Sequence, residues 1–200
     1  MKIKSLLELL CLFCLGACQQ TEEVNPNQNV QILYEQFHGK YKIVHSTSSL
    51  ALDVNLDGKA STDMLEELPD LPNTLIEVRI NRRNQYNSQP SFYFVHYWPK
   101  QELDLHGFQV EPTNYDPNIT AQFSTKVVSW GFAFDPALTH LILEPQSTSL
   151  IDPDIFTPPQ KIVIEGNERM EVTLTKRLYT SSGWKIVEIV TVYERYTMIT

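Results

Sequence analysis

The sequence predicts an all-β domain, an antiparallel up-and-down β-barrel, with a β-sandwich as the alternative. The first observation is alternation: within residues 74–81, Ile76, Val78 and Ile80 point one way and polar residues point the other. A period of two indicates strands with one buried face, which is typical of antiparallel sheets. The second observation is that turn residues, such as Gly166-Asn167, separate these segments. About eight to ten short strands joined by hairpins favour a closed barrel or a sandwich.

The expected strands cover most of the chain beyond residue 30. They are residues 40–46, 74–81, 91–98, 107–110, 126–134, 138–143, 161–164, 169–175 and 184–196. In the last one Trp184 and Ile186 share a face, whereas Val187 and Ile189 share the other. We therefore expect either a β-bulge near Val187 or a strand buried on both sides. Two short helices are expected, over residues 32–37 and 63–68, and Asp63 caps the second.

The first twenty residues carry an export signal. Lys2 and Lys4 precede an apolar run, and the segment closes on Leu15-Gly16-Ala17-Cys18. This ending resembles the lipobox of bacterial lipoproteins, and the resemblance implies that residues 1–17 are removed and that Cys18 is acylated. An ordinary signal peptide is the alternative. The apolar run is too short to span a membrane, which takes roughly 20 residues.

The expected cellular location follows from this resemblance. We expect a protein anchored to the bacterial outer membrane by acyl chains on Cys18, on the periplasmic or the cell-surface face. Residues 18–29 are polar and should form the acylated, flexible tether, and residues 30–200 should form one β-domain. Glu22 and Glu23 resemble the surface-export signal of Bacteroidetes lipoproteins, although a plain polar linker has the same composition.

Charge and cysteine content exclude several partners. The formal net charge is −8, which argues against nucleic acid, because affinity for phosphates comes from Lys and Arg. Cys11 and Cys14 would leave with the signal and Cys18 would be alkylated, so no thiol would remain for redox chemistry or for a thiolate metal site.

The start of the domain resembles a lipocalin. Gly39-x-Tyr41 stands where the lipocalin family has a glycine and a tryptophan in its first strand, and Arg195 could pack across the Tyr41 ring. The Asp-rich loop that follows the first strand, together with its short helix, is similar to lipocalin-like lipoproteins of Bacteroidetes. The resemblance implies a lipocalin-like barrel over residues 30–200 that binds a small apolar or amphipathic ligand.

The loop Asp53-x-Asn55-x-Asp57-Gly58 has the spacing of a calcium site. Hard cations need several oxygen ligands, and side chains at alternate positions converge around a sharp turn. The Lys59 carbonyl and the Asp63 carboxylate would add ligands. Position twelve, normally Glu, is Met64, so Glu66 or Glu67 would have to close the site. The alternative is a metal-free turn, because Asp, Asn and Gly all favour turns.

Catalytic motifs are not found in the sequence. No Gly-x-Ser-x-Gly, phosphate-binding glycine loop, dinucleotide fingerprint or HExxH occurs, so we expect binding rather than turnover.

His96 shares a strand face with Phe94 and Trp98 and is expected to be a hydrogen-bonded core residue. The many aromatic residues should fill the barrel rather than line a cavity. A calcium-braced surface module that contacts protein or glycan is the alternative function, and the oligomeric state stays open.

Overall fold

The computed structural model describes residues 26–83, 89–145, 157–166 and 168–200. The predicted lipidation site Cys18 lies outside the described residues. So do Ile151, Ile155 and Phe156, which we expect from the sequence to dock the proline-rich loop at residues 144–160 against the domain. The helices are α1 (Pro26–Phe37) and α2 (Met64–Glu67), and a 3-10 turn covers Leu71–Asn73. The strands are β1 (Gly39–Leu52), β2 (Ser61–Asp63), β3 (Leu75–Asn81), β4 (Ser91–Leu105), β5 (Phe108–Gln109), β6 (Thr120–Phe134), β7 (Leu141–Leu143), β8 (Lys161–Ile164), β9 (Arg169–Thr180) and β10 (Gly183–Thr197).

Eight of these strands form one antiparallel sheet in the order β7-β6-β4-β3-β1-β10-β9-β8. Apart from the pairing of β1 with β10, which joins the two halves, each pairing along this order links strands that are consecutive among these eight. The short strands β2 and β5 pair with β1 and β4 respectively. The sheet curls until β7 and β8 meet, where His140 bridges to Val163. The amide of Ile164 also donates to the Thr139 carbonyl at 2.8 Å. The fold is thus a nearly closed up-and-down barrel, as predicted, and the β-sandwich alternative is wrong because the two sheet edges meet.

The predicted inward face of β3 is confirmed. Ile76, Val78 and Ile80 are buried in the interior. On the outer face Glu77 is also buried, because the Arg79 guanidinium holds it at 2.6 Å and the Tyr97 hydroxyl donates to it at 3.0 Å. Alternation in the sequence therefore fixes the faces, while burial of the outer carboxylate depends on neighbouring strands.

Helix α1 closes one end of the barrel, and Tyr41 and Arg195 hold it there. The buried Tyr41 donates its hydroxyl to the Phe37 carbonyl at 2.7 Å. Arg195, which pairs with Tyr41 across β1 and β10, donates to the Gln36 carbonyl at 2.8 Å. These bonds satisfy carbonyls that a helix end leaves without partners. Gly39 is required because a Cβ there would lie 2.4 Å from the Thr197 carbonyl oxygen.

Strand β10 follows the prediction only in part. Its pairing with β9 runs without interruption from Gly183 to Glu194. Val187 and Ile189 face inward, whereas Ile186 is 73 % exposed. No bulge is therefore present at Val187. The strand is buried on both sides further along, where Thr191, Val192 and Tyr193 are all buried. The pairing of β1 with β10 shifts register twice, between Lys40 and Tyr41 and between Ile43 and His45, where the sequence gives no turn residue to reveal it.

The helices follow the prediction with one extension. Asp63 caps α2, since its Oδ1 accepts from the Leu65 amide at 2.9 Å. Helix α1 begins at Pro26, six residues before the expected start. Proline suits a first helical turn because its missing N–H would have had no helical partner.

Candidate functional site

The barrel axis is filled by side chains. Large residues meet in the interior: the ring centroids of Phe94 and Trp130, on the neighbouring strands β4 and β6, are 6.3 Å apart, and the His96 and Tyr193 centroids are 6.5 Å apart. The strands β4 and β10 that carry His96 and Tyr193 are not sheet neighbours, so this contact crosses the interior. The prediction that the aromatic residues pack the core agrees with this arrangement.

His96 lies in the middle of that packing. It is buried, and its Nε2 lies 3.3 Å from the Tyr193 hydroxyl, as expected for a hydrogen-bonded core histidine. Burial, assisted by the positive charge of Lys176, lowers the pKa of His96 to about 3. Burial also raises the pKa of Tyr193. Both groups are therefore neutral near pH 7, because burial disfavours their charged forms.

The opposite end of the barrel is closed by hydrogen bonds. The Gln101 amide donates to the carbonyls of Val54 and Tyr179 at 2.9 and 2.8 Å. Its Oε1 accepts from the Tyr179 amide at 2.8 Å. One side chain on β4 thereby ties β9 to the loop after β1, at the barrel end away from α1.

The Asp-rich loop forms a series of side-chain turns. Asn55 Oδ1 accepts from the Asp57 amide at 3.0 Å, and Asp57 Oδ1 accepts from the Lys59 amide at 2.8 Å. The Asp63 carboxylate is engaged as the cap of α2. These are the local bonds that Asx turns make, so the loop is ordered by its own side chains at three of the five predicted calcium positions.

Asp53 and Glu67 behave differently from the rest of the loop. Both carboxylates are buried. Glu67 Oε2 accepts from the Val54 amide at 2.7 Å, whereas Asp53 Oδ1 has no hydrogen-bond partner among the described residues. Burial, with the charge of Asp53 beside it, raises the pKa of Glu67. Within the described part of the chain, no three His, Cys, Asp or Glu side chains lie close enough together to hold a metal ion. Calcium binding at Asp53, Asn55, Asp57, Lys59 and Asp63 stays a prediction.

A cleft of about 660 Å³ lies where β7 meets β8, and we call it the seam cleft. Its floor consists of the buried side chains of Trp130, Leu141 and Ile162, and Ile142, which is 56 % exposed, stands at its rim. Sequence reasoning missed it because its walls come from strands that meet only when the barrel closes. Its volume lies within the range of small-molecule sites, roughly 300–1,000 Å³.

Asp135 and His140, the ionisable pair in the seam cleft, have a structural role. The Asp135 carboxylate accepts from the amides of Thr139 and His140 at 2.7 and 2.9 Å. The hydrogen bond from the His140 amide is the main reason that the pKa of Asp135 is lowered to about 2. A carboxylate that holds its own turn is a loop brace, so this shift does not point to catalysis.

Among the described residues, no helix is long and apolar enough to cross a membrane. No protein-family model matches the chain, and no curated protein matches it.

Proposed function

We propose that this chain is a bacterial envelope lipoprotein, anchored to the outer membrane through acyl chains on Cys18, whose barrel binds a small amphipathic molecule. The lipobox-like ending Gly16-Ala17-Cys18 supports the anchor. Substitution Cys18→Ala should abolish incorporation of labelled fatty acid and leave unprocessed precursor. Incorporation that survives the substitution would overturn the anchor.

The seam cleft carries the ligand proposal. Because aromatic side chains fill the axis, a ligand cannot lie where a hollow barrel would hold one. The seam cleft instead offers an apolar floor, on which Trp130 and Ile162 lie, and a polar edge at His140 and Lys161. That combination suits a molecule with an apolar body and one polar group.

A neutral fluorescent probe tests this site. N-phenyl-1-naphthylamine brightens in apolar surroundings and carries no charge. We would titrate it into the soluble chain from Gln19 to Thr200, which lacks the signal and the acylated cysteine. Ile142→Glu places a carboxylate at the apolar rim and should weaken binding by about tenfold or more. Ile186→Glu is the matched control, an exposed strand isoleucine on β10, and should bind normally. Equal affinities in the two variants, or no binding at all, would contradict the proposal.

A calcium-braced module that contacts a protein or a glycan is the second candidate function. The observation that favours it is the buried, unpartnered Oδ1 of Asp53, because a cation would supply the missing partner. Calcium that binds only the folded state should add about 2.7 kcal/mol of stability at a hundredfold excess over the dissociation constant. The test is a thermal melt with millimolar calcium and with chelator. An unchanged midpoint would reject the brace, whereas a rise should disappear in Asp57→Ala.

A further inference from the structure

A second cleft, of about 710 Å³, lies between α1 and the end of β3, and we call it the basic cleft. One wall is a stripe made by Val30 and Tyr34 on α1 and by His38 directly after it. The three are four residues apart and share a face, since the His38 amide still donates to the Tyr34 carbonyl at 3.0 Å. The opposite wall is formed by Arg82 and Arg83, which follow β3 directly. The basic cleft thus places two exposed guanidinium groups opposite an aromatic and apolar surface.

The aromatic wall is held in place. The Tyr34 and His38 rings stack with centroids 4.2 Å apart. His38 Nδ1 accepts from the Ile80 amide at 3.0 Å, so the ring proton resides on Nε2, which contacts the Thr200 hydroxyl at 3.2 Å. The Arg82 guanidinium lies 4.5 Å above the Tyr34 ring. A ligand would therefore meet a surface that is already ordered.

Within the part of the chain that the structure describes, no acid forms an ion pair with either arginine. Arg82 donates to the Gln31 side chain at 2.7 Å. Gln31 in turn donates to Glu35 at 2.5 Å, so an amide stands between that carboxylate and Arg82. Arg83 has no ion pair among the described residues. Burial and then the positive charge of Arg82 lower the pKa of His38, as expected in a positive region.

The position of α1 suggests which anion the two arginines would meet. Pro26, where α1 begins, follows Cys18 by eight residues, which span at most about 27 Å when fully extended. If Cys18 is acylated, as proposed above, the basic cleft therefore stays near the membrane surface. An acidic protein with a net charge of −8 would then turn two arginines toward lipid phosphates, which guanidinium groups bind well.

We infer that the basic cleft binds the phosphate of an anionic phospholipid headgroup, with Arg82 and Arg83 as its ligands and Val30 and Tyr34 against the glycerol and upper chain. This contact would fix the orientation of the barrel on the membrane that anchors it. The inference rests on the proposed anchor, but the binding itself needs no acylation and is measured separately.

The test is calorimetry on the full chain, as purified from the cell, in non-ionic detergent. The probes are dihexanoyl phosphatidylglycerol, dihexanoyl phosphatidylcholine and inorganic phosphate. We expect the anionic lipid to bind at least about tenfold more tightly than either comparison probe. Arg82→Gln combined with Arg83→Gln should weaken it by about tenfold or more. Lys42→Gln combined with Lys185→Gln removes the same charge elsewhere on the surface and should leave affinity unchanged.

Three results would overturn the inference: no binding of the anionic lipid, equal binding in the arginine variant, or equally tight inorganic phosphate, which would indicate a free-anion site. Near-ultraviolet circular dichroism shows whether the variants fold, and retained binding by Ile142→Glu separates the basic cleft from the seam cleft. If the lipid binds but Cys18 takes up no fatty acid, the anchor fails while headgroup binding stands.

Discussion

Mild acid should destabilise the protein through His96. In the folded barrel, burial first and the charge of Lys176 second lower the pKa of His96 to about 3. In the unfolded chain a histidine has a pKa near 6.5. As the pH falls below about 6.5, the unfolded chain therefore binds a proton that the folded chain does not. Stability should be lost progressively from that pH down to the folded-state pKa.

The size of the effect follows from the linkage. Each unit of pH between the two pKa values costs about 1.36 kcal/mol, so the loss from about pH 7.5 to about pH 5.0 should be roughly 2 kcal/mol. We would unfold the soluble chain in urea at both pH values and extrapolate the free energy of unfolding to water. His96→Gln keeps a polar partner for the Tyr193 hydroxyl but cannot take up a proton. The free energy of unfolding of His96→Gln should therefore fall by roughly 2 kcal/mol less than that of the wild-type protein over the same pH range.

Other titrating groups cancel in this comparison. The pKa of His38 is also lowered, but His38 is present in both proteins. His45→Gln is the control, because His45 is exposed on β1, and it should keep the full pH dependence. If the wild-type protein and His96→Gln lost the same stability on acidification, His96 would not be a neutral core residue.

The remaining predictions concern the core, the closed end and the anchor. Val78→Ala should cost about 1–3 kcal/mol in urea unfolding, because Val78 is fully buried; a change within error would contradict the assigned face. Gly39→Ala should cost more than Gly107→Ala in the same assay. Both glycines have positive φ, but a Cβ at Gly107 meets nothing within 4 Å and adds only about 1–2 kcal/mol of strain. Equal costs would exclude the clash with the Thr197 carbonyl. After metabolic labelling, fatty acid should be recovered on Cys18 alone.

Much of the fold could be predicted because its information is local. Alternation in residues 74–81 places Ile76, Val78 and Ile80 inside, and Asp63 marks the start of α2, since both depend on nearby residues. Closure of the barrel was harder to predict from the sequence. It depends on the bridge between His140 and Val163, which no local pattern predicts.

The errors and omissions share one physical cause, which is that they involve pairings distant in sequence. The register shift near Val44 depends on how β1 pairs with β10. The irregular alternation around Val187 therefore led us to expect a bulge in the wrong place. Arg82 and Arg83 look like ordinary turn residues until α1 packs beside them. The sequence names Asp53 and Glu67 as possible ligands of one site, but their burial depends on the folded loop and could not be predicted from it.

Quenching of tryptophan fluorescence by a brominated fatty acid tests the central claim most directly, because bromine quenches the indoles that it contacts. Trp130 lies in the floor of the seam cleft, Trp98 lies inside the barrel beside His96, and Trp184 packs at the far end against Tyr179. Quenching in the soluble chain should disappear in Trp130→Phe and persist in Trp98→Phe and Trp184→Phe. Quenching that depends on Trp98 would place the ligand on the barrel axis, and the absence of quenching would remove the ligand altogether.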